Sequence, residues 1–90
     1  MMPNQIKDYV IECFEKNLGV EGLTGEVAAL PNGEAWVTIH AADPTPAMDV
    51  LARMLEVEFE EREKAVTIFV RPAGEGWLSR VTARLMNRAA

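Results

Sequence analysis

The sequence predicts an α+β fold: a two-layer α/β domain in which a four-stranded, mainly antiparallel sheet carries helices on one face. Three observations lead there. Apolar residues recur with helical spacing in three segments, they alternate with period two in the segments between, and the order reads helix, hairpin, helix, hairpin, helix. The economical packing of that order is a sheet with helices on one side. Ninety residues are enough for one modest core and not for two, so residues 1–90 form a single domain.

The first helix is expected in "NQIKDYVIECFEKNLG", with Asn4 as its N-cap and Gly19 just past its end. At about 100° per residue, Ile6, Tyr9, Val10, Cys13, Phe14 and Leu18 share one arc. Cys13 lies inside that arc and is read as a core thiol, because a reactive thiolate needs an exposed, electropositive setting. "TGEVAALPNGEAWVTIHAA" follows as a hairpin, with Asn32-Gly33 as a two-residue type I′ turn and Pro31 ending the first strand. In the second strand Val37, Ile39 and Ala41 form the core face, and Trp36, Thr38 and His40 the other.

A second helix starts in "ADPTPAMDVLARML", capped by Thr45 with Pro46 at its first position. Its apolar arc is read as Ala47, Met48, Val50, Leu51, Met54 and Leu55. The stretch after it, "LEVEFEEREKAVTIFV", admits two readings. Continued as helix, it gains the i,i+4 pairs Glu58–Arg62 and Glu60–Lys64, at about 0.2–0.5 kcal/mol each, but sets Glu58 in the apolar arc. An unpaired buried glutamate costs several times more. The alternation of Leu55, Val57 and Phe59 against Glu56, Glu58 and Glu60 therefore favours a strand over Leu55–Glu60, paired with a second over Ala65–Arg71. The turn between them lacks glycine or asparagine. "WLSRVTARLMNR" then supplies a third helix, with Trp77, Leu78, Val81 and Leu85 on its apolar side.

This order and the acidity of the chain resemble those of small α/β secretion chaperones. With residues 55–60 helical, the helix–hairpin–helix–strand order would resemble the KH-type fold instead. A KH domain clamps a nucleic-acid backbone with G-x-x-G between two helices, which this sequence lacks. Neither resemblance assigns a functional residue.

Charge narrows the function. The net charge is −5, yet residues 1–70 hold 13 acids and 5 bases, whereas residues 71–90 hold 4 arginines and 1 glutamate. Most of the surface would repel a phosphate backbone, which argues against nucleic acid; only the C-terminal segment would attract one. No apolar run approaches the ~20 residues of a membrane span, and the N-terminus lacks the pattern of a signal peptide. A single cysteine fits a reducing compartment, so the expected location is the cytoplasm.

Chemistry finds little support. His40 is the lone histidine and there is no C-x-x-C or H-E-x-x-H, so no metal or cofactor is expected. Glu56, Glu58 and Glu60 read as a solvated row of charge. "GEGWLS" has two glycines of a phosphate loop, but Glu75 would oppose an anion and no βαβ unit surrounds it. With no convergent catalytic set, the chain is not expected to be an enzyme.

What remains is a surface. Trp36, His40, Phe69 and Arg71 fall on the sheet face away from the helices, with Glu56, Glu58 and Glu60 lining part of it. Arg80, Arg84 and Arg88 form an i,i+4,i+8 stripe on the last helix. These seven positions are the expected partner-binding residues. The expectation is a small protein-interaction module, an adaptor, chaperone or inhibitor of a larger protein, acting as a homodimer through the Trp36–Phe69 patch. The alternative is a nucleic-acid-associated protein that uses the arginine helix.

Overall fold

A computed structural model describes residues 2–73. They form helix α1 (Pro3–Leu18), strands β1 (Thr24–Ala29) and β2 (Ala35–Ala41), helix α2 (Pro46–Glu61) and strand β3 (Val66–Pro72). The strands make one three-stranded sheet in the order β1-β2-β3. β1 runs antiparallel to β2, and β3 runs parallel to it. The expected third helix and its arginines, Arg80, Arg84 and Arg88, lie outside the described residues.

Helix α1 begins one position before the expected cap. Pro3 occupies the first turn, where its missing N–H costs nothing, and the Gln5 Oε1 accepts a 2.7 Å bond from the Met2 N–H. Gly19 closes the helix in the left-handed conformation, its N–H bonded to the Glu15 carbonyl. Ile6, Val10 and Phe14 are buried, and Tyr9, Cys13 and Leu18 pack partly buried against the same core. The hairpin turn differs from the type I′ expectation. Of its residues only Gly33 has positive φ, at 89°, and the Leu30 N–H bonds the Glu34 carbonyl across a three-residue loop. Pro31 holds its own φ near −65°, which suits a three-residue loop ending in a left-handed glycine. The Asn32 Oδ1 fixes it further by accepting the Glu34 N–H.

The second hairpin does not form. Residues 55–61 continue α2, so the sheet has three strands and is mixed, where four mainly antiparallel strands were expected. From sequence alone, a helix here would leave Glu58 buried without a partner. It is instead half-buried with two partners: the Tyr9 hydroxyl donates to it at 2.7 Å and Arg62 at 3.0 Å. With that penalty removed, the helix buries Phe59 at 1% exposure. The buried stripe becomes Met48, Ala52, Leu55 and Phe59, the 4-3-4 spacing of one helix face. Val50 and Met54, assigned to the core arc from sequence, point outward with Val57. Glu63 ends the helix with φ at 61°, the strained substitute for the glycine this turn lacks. Without a strand before it to form a hairpin, β3 reaches the sheet by the crossover that parallel strands require.

Both helices pack on the same sheet face. Val37, Ile39, Ala41 and Ile68 meet Val10, Phe14, Met48 and Phe59 in one core. Gly25 permits the close seat of α1: a Cβ there would sit 3.3 Å from the Ile11 side chain and 3.0 Å from the Thr38 carbonyl. The other sheet face is left uncovered among the described residues.

Candidate interaction surface

Parity along each strand decides what the uncovered face shows. Thr24, Glu26 and Ala28 come from β1, Trp36, Thr38 and His40 from β2, and Thr67, Phe69 and Arg71 from β3. The register sets Ala28, Trp36 and Thr67 in one row, Glu26, Thr38 and Phe69 in the next, and Thr24, His40 and Arg71 in the third. Trp36 and Phe69 are therefore diagonal neighbours. Their rings meet edge to face, with centroids 5.7 Å apart, a geometry worth about 0.5–1.5 kcal/mol beyond simple burial. The Arg71 guanidinium lies 5.4 Å from the Phe69 centroid, within cation–π range.

Trp36 is 44% exposed and held in place. Its Nε1–H donates to the Glu34 Oε1 at 3.0 Å, and the Thr67 hydroxyl donates to the same oxygen at 3.1 Å. These bonds hold the Glu34 carboxyl below the usual carboxylate range, the Trp36 bond contributing most. His40 faces Glu26 across the first hairpin, with Nε2 3.3 Å from Oε1. An indole fixed by its polar end and still half exposed has little rotamer freedom left to lose.

Of the expected partner-binding residues, the structure brings Trp36, His40, Phe69 and Arg71 onto one face. It does not put Glu56, Glu58 and Glu60 there, because those residues belong to α2 on the opposite layer. Glu34 and Thr67 as holders of Trp36 escaped the reading of sites from sequence. The signal for Glu34 was its spacing, two residues before Trp36 and so on the same side of the strand.

A hollow of about 430 Å³ is lined by Glu34, Glu56, Glu60 and Lys64 among others. Two of its carboxylates are already engaged, Glu34 by Trp36 and Thr67, and Glu56 by the Ile68 N–H at 2.7 Å and by Arg53 at 3.1 Å. The third notable cluster joins the helices. Tyr9 bonds Glu58, and its ring lies edge-on to Phe59 and under Arg62. The bond to Glu58 is the main reason the phenol is pushed up to about 12, with Cys13 adding to it. No three His, Cys, Asp or Glu side chains among the described residues stand where they could hold a metal ion. No described helix is long and apolar enough to cross a membrane.

Comparison with family models, with curated proteins and with solved structures gives no match.

Proposed function

We propose that this chain is a small non-catalytic protein-interaction module, an adaptor, chaperone or inhibitor of a larger protein, and that it meets its partner with the uncovered sheet face. The observation that carries this reading is the Trp36–Phe69 pair, edge to face on a sheet surface that no described element covers. Fully burying an aromatic ring is worth about 1.5–3 kcal/mol, and Trp and Arg are the residues that most often dominate binding energy. Arg71 at one end of the pair and Glu34 at the other give the face polarity. It suits a partner segment with apolar anchors and an acid placed to reach Arg71. A nucleic acid fits less well, because Glu26 and Glu34 share the face with the aromatic rings.

The test compares immobilised wild type with the Trp36→Ser/Phe69→Ser variant in capture from native lysate, read by mass spectrometry. Both proteins should give the same circular dichroism spectrum, since neither side chain belongs to the core. Proteins retained by the wild type alone support the reading. An identical set on both columns overturns it.

A further inference from the structure

The two edges of the sheet are built differently. In β3 the backbone groups of Val66, Ile68 and Val70 point away from β2, because Ala65 and Ala73 bond toward β2 at either end of the strand. That outer edge is closed by side chains from α2. The Glu56 carboxylate accepts the Ile68 N–H, the Arg53 guanidinium donates to the Ile68 carbonyl, and the two side chains are paired with each other. Pro72 ends the strand without an N–H. Closure by charge and proline is how proteins keep an edge from pairing.

Among the described residues, the outer edge of β1 has none of this. The Leu30–Glu34 bond fixes the phase of the ladder, and antiparallel pairs alternate. Ala28, Glu26 and Thr24 therefore bond toward β2, and the N–H and carbonyl groups of Gly25, Val27 and Ala29 face outward. No described side chain bonds to any of those three residues. No lysine or proline interrupts the strand. The flank beside it is apolar: Val27 and Leu23 are only partly buried, as is Ile11, which lies over Gly25.

We infer that β1 is a pairing edge and that its occupant is β1 of a second copy, antiparallel about a two-fold axis at Val27. The edge is self-complementary in that register. Val27 meets its own copy and Gly25 meets Ala29, so all three outward residues exchange both backbone groups. On the uncovered face Glu26 falls opposite Ala28, which avoids the like-charge contact that a Glu26–Glu26 pairing would make. On the helix layer Ile11 lies over Gly25, and this register sets it beside the partner copy's Ala29. Among the described residues, the product is a six-stranded sheet with four helices on one side. It leaves both Trp36–Phe69 patches open, so this inference is independent of the proposed function. It moves the homodimer contact expected from sequence off the aromatic patch and onto the strand edge.

The experiment measures the full chain by sedimentation equilibrium and by amide hydrogen exchange. The expected result is a dimer in which the Gly25, Val27 and Ala29 amides are protected. Ala29→Pro removes an outward N–H and leaves the β2 ladder intact. By symmetry it deletes two intersubunit bonds and should weaken the dimer about 10- to 100-fold. A second variant guards against misfolding. Val27→Cys in a Cys13→Ser background should cross-link to a covalent dimer with oxidised glutathione, since paired residues about 5.5 Å apart at Cα lie within disulfide range. Trp36→Ser/Phe69→Ser should leave the dimer unchanged. A monomer at several hundred micromolar overturns the inference. So does a dimer whose three amides exchange freely, or protection of those amides in a monomer, which would give the edge to another segment or a peptide.

Discussion

Glu56→Ala tests the side-chain closure of β3 directly. The carboxylate accepts the Ile68 N–H at 2.7 Å and its side chain is 20% exposed. A hydrogen bond to a charged group contributes about 1.5–3 kcal/mol, and partial exposure places this one at the lower end. The Arg53–Glu56 pair at 3.1 Å adds only about 0.2–1 kcal/mol because Arg53 is open to water. Alanine returns a few tenths through its higher helix propensity. The net loss is about 2 kcal/mol, which for a domain of this size lowers Tm by roughly 8–16 °C. Urea unfolding and exchange at the Ile68 amide are the assays. Glu56→Gln keeps an acceptor and should lose about half as much. Opening the edge should also make the variant associate as its concentration rises. Stability within about 0.5 kcal/mol of wild type, together with unchanged exchange at Ile68, would refute the claim that this pair closes the edge.

Val57→Glu should change stability by less than about 0.5 kcal/mol, because Val57 is 54% exposed on the outer side of α2, whereas Phe59→Glu should abolish folding by circular dichroism. A strand over these residues would make both equally damaging. Glu63→Gly should stabilise the chain by up to about 1 kcal/mol in urea unfolding by relieving the left-handed φ of 61°. Absorbance at 295 nm should show the Tyr9 phenol titrating near 12 and Glu58→Gln bringing it down. Because the folded state holds that proton more tightly, its stabilisation is complete below pH 10, the ordinary value, and is lost as pH rises toward 12. In a Trp77→Phe background, Trp36 emission should change as acid protonates Glu34. The Glu34 bonds, present above the ordinary carboxylate range, should be lost only as pH falls below it.

Much of this protein was legible without coordinates because the signals are local. The arc of α1, the left-handed Gly19, the parity of β2 and the Pro46 start of α2 all depend on residues within a few positions of one another. The same parity put Trp36, His40, Phe69 and Arg71 on one face. That Trp36 and Phe69 touch is a different matter. It depends on β3 lying parallel to β2 with Thr67 opposite Trp36, and that followed only once residues 55–61 had become helix.

The choice between helix and strand for those residues turned on the desolvation of Glu58. Its decisive partner is Tyr9, 49 residues away on the other helix. Local alternation favoured a strand and the charge pairs along the segment a helix, and neither can report a hydrogen bond from another element. The edges of the sheet follow the same logic. That Thr24–Ala29 forms a strand is written in its own residues, but that it stands at an unguarded edge while β3 is closed by Arg53 and Glu56 required the crossover to be in place. Periodicity sets which side chains share a face, because the backbone repeat is a local property. Which polar groups are satisfied is decided by whatever the folded chain brings beside them.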